Sequence, residues 1–167
     1  MRQFKRSLPM TLLKAREVVM QKFIPHLRAH GLSPQQWRVL RALVEAEELD
    51  ATEIAGRCAL LMPSLSRILP NLERRELIQR MTSPGDQRRS LVSITATGQA
   101  LFDKIAPLSE ERYLYITDKF GYGKLELLYE LLDELIEKID ANAGDEEPLA
   151  MKPTAMSLET DRHELGN

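Results

Sequence analysis

PSLSRILPNLERRELIQRMTSPGDQRRSLVSITATG, residues 63–98, changes its hydrophobic period partway along. Up to Leu72 the apolar residues Leu65, Ile68, Leu69 and Leu72 fall at the spacing of one helix face. Beyond it, the short apolar runs 77–81 and 91–95 flank Ser83-Pro84-Gly85-Asp86, a cluster of turn-forming residues. The stretch predicts a helix over 63–74, with Pro63 suited to its first turn. A β-hairpin with an eight- to nine-residue tip follows. Pro70, eight positions into the helix, removes one backbone bond and is expected to bend its second half.

Upstream the pattern is helical. Leu12, Ala15, Val19, Phe23 and Leu27 recur at helix spacing, so residues 8–29 read as one long helix ended by Gly31. Ser33-Pro34-Gln35-Gln36 is a helix start, with Ser33 the cap and Gln36 able to reach back to it. Trp37, Leu40 and Val44 are the expected inner stripe of that helix. Asp50 with Glu53 opens a short third helix, whose apolar side is Ile54, Ala55 and Cys58. Downstream, Thr95 is placed to cap a helix of roughly 96–120, which Pro107 should kink or split. Gly121 and Gly123 break the chain again. Leu125, Leu128, Leu132, Leu135 and Ile139 then alternate three and four apart, the coiled-coil spacing. Residues 142–167 are acidic and aperiodic, and read as a disordered tail.

Helix, helix, short helix, helix and hairpin, in that order, is the layout of a winged helix-turn-helix: mainly α, with a small β-hairpin wing. Its charge suits DNA. Residues 57–90 carry 7 Lys/Arg against 3 Asp/Glu, and residues 99–167 carry 7 against 16, inside a chain of net charge −2. A basic middle in an acidic chain is what local phosphate binding requires. Opposite its apolar side, helix 63–74 presents Ser64, Arg67, Asn71 and Arg74, groups that read base edges and grip phosphates. The wing carries Arg88 and Arg89. A monomer would leave the Leu125–Ile139 stripe open to water, so a homodimer is expected, with residues 1–32 and 97–141 forming the dimerisation region around a DNA-binding domain of residues 33–96.

Several motifs resemble those of MarR-family regulators. Leu32-Ser33-Pro34-Gln35-Gln36-Trp37-Arg38-Val39-Leu40 is similar to the start of their second helix. Pro63-Ser64-Leu65-Ser66-Arg67 resembles their recognition helix, and Asn71 to Ile78 its exit into the wing. Asp86-Gln87-Arg88-Arg89-Ser90 and Ile94-Thr95-Ala96-Thr97-Gly98 resemble the wing motif and the entry to the next helix. The resemblance spans residues 8–140. Leu12 to Glu17 and Gln36-Trp37-Arg38 are most similar to the HpaR branch, associated with repressors of homoprotocatechuate and related aromatic-acid breakdown. The resemblance implies that Pro63, Ser64, Ser66, Arg67 and Asn71 meet the major groove of a near-palindromic operator. It further implies that Arg88 or Arg89 contacts the minor groove, while Asp86 holds the wing by pairing with an arginine.

The branch also implies a small aromatic carboxylate as effector. Arg16 lies on an otherwise apolar stripe with Leu12 and Met20, and a buried guanidinium needs an anion. That anion is either a ligand carboxylate or an acid, such as Glu17 or one on the other subunit. Arg38, beside Trp37, is a second carboxylate candidate. His26 either meets a phenolic hydroxyl or is an ordinary helix-end histidine. Cys58 falls on the apolar side of its helix and reads as a buried, inert thiol.

Nothing in the sequence asks for catalysis. There is no H-E-x-x-H, C-x-x-C or G-x-G-x-x-G, so no metal, cofactor or enzymatic activity is expected. No apolar run approaches a membrane span, and Lys14, Arg16 and Glu17 interrupt the first apolar stretch, so the expected setting is the cytoplasm. Two alternatives stay open: a regulator of the same type without a small-molecule effector, and a helical interaction protein that never touches DNA.

Overall fold

The computed structural model describes residues 7–83 and 86–140; the side chains of residues 83 and 86–89 are outside the description. The expected disordered tail therefore lies outside the described residues. Among the described residues six helices and three strands follow in the order α1 (Leu8–Ala29), α2 (Pro34–Ala46), β1 (Glu48–Asp50), α3 (Ala51–Arg57), α4 (Met62–Arg74), β2 (Ile78–Ser83), β3 (Asp86–Ile94), α5 (Ala96–Phe120) and α6 (Tyr122–Asp140). The chain divides into two units, Met1–Tyr122 and Gly123–Asn167.

The helix starts form as their sequences dictate. Ser33 accepts a hydrogen bond from the Gln36 amide, and the Gln36 side chain returns one to the Ser33 amide. Asp50 and Glu53 repeat that reciprocal cap at α3. Thr95 accepts from the Gly98 amide and opens α5. Each such cap is worth about 1 kcal/mol, because it satisfies amides that have no partner inside the helix.

The core of the first unit joins Phe23 and Leu27 of α1, Trp37, Leu40 and Leu43 of α2, Ile54 of α3, Leu65, Leu69 and Leu72 of α4, Val92 of β3 and Ile105 of α5. Burying such side chains contributes roughly 1.5–3 kcal/mol each, which is what binds α4 to the body. The hairpin packs into the same core through Leu77, Ile78 and Val92.

The structure departs from the sequence pattern, or adds to it, at several points. β1 has no alternating pattern that would announce it; it is three residues that complete a sheet of order β1-β3-β2, pairing antiparallel with β3 from Glu48↔Ser93 to Asp50↔Leu91. The hairpin strands run further than their apolar residues, to Ser83 and from Asp86, so the tip is much shorter than expected. Backbone pairing continues through polar residues there, with a register shift at Thr82/Ser83. Pro107 lies inside α5 without splitting it, and Gly123 lies inside α6. The α1 stripe is buried only in part: Phe23 and Leu27 enter the core, whereas Leu12 and Val19 are exposed.

The joint between wing and α5 is tight. The Thr95 hydroxyl donates to the Glu76 carbonyl (2.5 Å), and the Thr95 amide donates to that of Leu77 (3.1 Å). A Cβ on Gly98 would stand 2.0 Å from the Leu77 carbonyl oxygen, which explains a glycine in the first turn of α5.

Candidate nucleic-acid interface and effector site

The two ends of α4 are held differently. Its C-terminal half is tied down: Gln36 donates to Asn71 Oδ1 (2.8 Å), Arg80 of β2 pairs with Glu73 (3.1 Å), and Arg75 donates to the Gly31 carbonyl (2.9 Å). Its N-terminal half stands free. Pro63, Ser64, Ser66 and Arg67 are all exposed, with Leu65 between them fully buried. The Ser66 hydroxyl donates to the Met62 carbonyl (2.9 Å), leaving its lone pairs open. Among the described residues Arg67 has no ion pair or hydrogen bond. Pro70 is exposed and lies within the helix without ending it, so water can reach the Ser66 carbonyl that its missing N–H leaves unbonded.

Asn71, expected on the DNA face, is half-buried and committed to Gln36. It turns toward α2 because it adjoins the buried Leu72. Arg88 and Arg89 belong to β3, but their side chains, like that of Asp86, lie outside the described residues. The free end of α4 thus offers two hydroxyls, an unpaired guanidinium and Pro63 to solvent, a set that fits a major groove.

A second cluster forms where α1, α2 and α5 meet. Trp37 stacks on Phe102 at 5.1 Å, and Phe23 lies 5.0 Å from the Tyr113 ring and 6.0 Å from His26. Polar groups line this aromatic wall. Arg41 donates to the Tyr113 hydroxyl (3.2 Å), and His26 Nε2 lies 3.1 Å from Ser109 Oγ. The other ring nitrogen of His26, Nδ1, is buried without a full hydrogen bond. Burial foremost, then the positive Arg112 and His30, hold the His26 pKa below its ordinary value; Glu111 and the Lys22 carbonyl, not aligned to accept a full bond, oppose them.

The sequence-level effector residues distribute unevenly around this cluster. His26 and Trp37 belong to it, and half-buried Met20 packs against the same core. Arg38 is half-buried on another side of α2, close enough to Cys58 to oppose the rise that burial imposes on its thiol pKa. Arg16 is not buried in the chain: its side chain is 53% exposed and pairs with the adjacent Glu17 (2.7 Å). Sequence reasoning missed Arg41, Ser109 and Tyr113. Trp37 with Arg41, and Ser109 with Tyr113, are each one helical turn apart, a signal that becomes specific only once α2 and α5 are known to face each other.

Among the described residues no His, Cys, Asp and Glu are grouped to hold a metal ion, and no helix is long and apolar enough to cross a membrane. A profile of the MarR family matches residues 32–90. The chain is 40% identical over 130 residues to the homoprotocatechuate degradative operon repressor of Escherichia coli, covering 78% of this chain and 88% of that one. It is similar to the crystal structure of NadR in complex with 4-hydroxyphenylacetate (TM-score 0.71, 37% identity, 81% of this chain and 96% of that one). It is also similar to the transcriptional repressor CouR bound to a 23-mer DNA duplex (TM-score 0.72, 27% identity, 78% and 93%).

Proposed function

The chain belongs to the MarR family of DNA-binding transcriptional regulators, and on that premise we propose that it is a homodimeric repressor of an operon for aromatic-acid breakdown, relieved by a small aromatic carboxylate. Its relatives are regulators, and it is read as a cytoplasmic protein without enzymatic activity. The observation that carries the ligand reading is Arg41 on the Tyr113 hydroxyl, beside the Phe23 and His26 rings. A guanidinium next to an aromatic wall suits a flat ring bearing one carboxylate, which would displace the long 3.8 Å pairing that Arg41 makes with Glu45. His26 Nε2 and the Ser109 hydroxyl, 3.1 Å apart, supply a second polar point for a phenolic group.

This reading moves the carboxylate anchor from Arg16 and Arg38 to Arg41. Arg16 keeps a role only if a second copy buries it. The open apolar residues of α1, Leu12, Leu13, Val18 and Val19, and those of α6, Leu127, Leu128, Leu131 and Ile139, are the surfaces assigned to that second copy. Residues 142–167 are assigned no part in dimerisation.

The coupling runs along α5. That helix begins at the wing, locked by Thr95 and Gly98 to the β2 entry, and over its next turns carries Phe102, Ser109 and Tyr113 of the ligand cluster. A ligand lowers DNA affinity only by preferring a dimer whose recognition helices are wrongly spaced. A tenfold loss requires about 1.4 kcal/mol of preference, within reach of one charge-assisted contact. The test is binding of a selected operator duplex with and without hydroxyphenylacetate-, protocatechuate- and cinnamate-type acids. Weaker binding with at least one acid supports the reading. Indifference to all of them leaves a regulator without this effector.

A further inference from the structure

The start of α4 carries a feature its DNA contacts do not account for. Leu61 occupies the N-cap position and is 76% exposed, with Met62 behind it 46% exposed. Leucine is a poor N-cap: it has no side-chain acceptor for the free amides, and α4 has no side-chain cap hydrogen bond, whereas α2, α3 and α5 have one each. Two large apolar side chains are thus held in water at the end of a helix, at a cost in local stability.

The turn that presents them is fixed. Ala59 adopts φ 46°, a left-handed conformation uncommon for alanine. The Ala59 amide donates to the Gly56 carbonyl (3.1 Å) and the Leu60 amide to that of Ala55 (2.9 Å), closing α3. Leu60 then turns inward against the core and Leu61 outward. Exposure at position 61 follows from this turn, not from fraying.

We infer that Leu61 and Met62 are sequence-reading residues that receive thymine methyl groups in the major groove. The occupant is chosen by continuity with the DNA face: exposed Pro63, Ser64, Ser66 and Arg67 follow directly on the same free helix end, and Arg57 is exposed one turn before. N-terminal residues of a recognition helix are those that approach base edges. The thymine C5 methyl is the one apolar group that a base pair offers there, and no hydroxyl or guanidinium of α4 discriminates it. This inference rests on the DNA-binding reading above and adds a base class to it.

The test selects duplexes from a random library with the wild-type protein. The enriched duplex is then resynthesised with deoxyuridine in place of each thymidine in turn, which removes only the methyl. Wild type is expected to lose about fourfold at one or two positions per half-site, and about fifteenfold when both half-sites are changed. Leu61→Asn supplies the missing cap, so it should melt a few degrees higher than wild type while losing the methyl preference at that position. Met62→Ser should lose it at the adjacent position or share in the same one. The inference is overturned if wild type tolerates every deoxyuridine, or if Leu61→Asn and Met62→Ser both keep the wild-type methyl profile. If no duplex is enriched at all, the DNA-binding reading itself fails, an outcome distinct from enrichment without a methyl effect.

Discussion

The free end of α4 and the α1–α2–α5 junction solve opposite problems. At α4 one short segment supplies every group: Pro63, Ser64, Ser66 and Arg67 are consecutive or nearly so, and their exposure follows from the burial of Leu65, Leu69 and Leu72. At the junction each element supplies one or two groups, Phe23 and His26 from α1, Trp37 and Arg41 from α2, Ser109 and Tyr113 from α5. The first region faces outward and is built by local periodicity. The second is assembled across long sequence separations and half-buried. Binding is assigned to the first and its control to the second, so the two should fail independently.

The largest expected effect breaks the outward region alone. Arg67→Ala should weaken specific operator binding by about 1–3 kcal/mol, and adding Arg88→Ala and Arg89→Ala should deepen the loss and flatten the salt dependence. Ligand binding, followed by calorimetry, should persist in the triple variant. Unchanged operator affinity would show that α4 is not the docking helix.

Next is the joint between the regions. Gly98→Ala places a methyl 2.0 Å from the Leu77 carbonyl oxygen, so the wing or α5 must shift. A destabilisation of about 1–3 kcal/mol is expected in thermal unfolding, together with weakened coupling between acid and operator. Wild-type stability and coupling would mean the wing and α5 are not rigidly joined.

A smaller effect sharpens the inward region. The His26 pKa is depressed, so folded protein binds fewer protons than unfolded chain around the ordinary histidine range. The stabilisation of the neutral ring is fully present above about pH 6.5 and is lost as pH falls below it. Unfolding midpoints should therefore drop between pH 7 and pH 5, and less steeply in His26→Gln. Equal slopes would place the histidine in water. The least effect is expected at Cys58, whose buried thiol should react slowly with a disulfide reagent until the protein unfolds.

The same contrast explains what could be read from the sequence. The caps at Ser33, Asp50 and Thr95, the α1 and α4 limits and the hairpin are encoded within a few residues of themselves, and each was legible. β1 was not, because Glu48–Asp50 becomes a strand only by pairing with β3, over forty residues later. Pro107 misled because a proline on an exposed face of a long helix costs one bond that water can replace. Arg16 is exposed in the single chain for a related reason: an apolar stripe states which face is to be covered, not whether this copy covers it. Asn71 and Arg41 depend on which helix lies opposite, a fact of packing that no local pattern states.

Whether binding and control are separate is tested most directly by titrating 4-hydroxyphenylacetate against operator complexes of wild type, Arg41→Ala and Arg16→Ala. The account predicts that wild-type affinity falls about tenfold or more at saturating acid. Arg41→Ala should bind operator nearly as wild type does and ignore the acid, and Arg16→Ala should stay responsive. An Arg41→Ala protein that still releases DNA on adding an acid to which the wild type responds would contradict the assignment of control to the α1–α2–α5 junction.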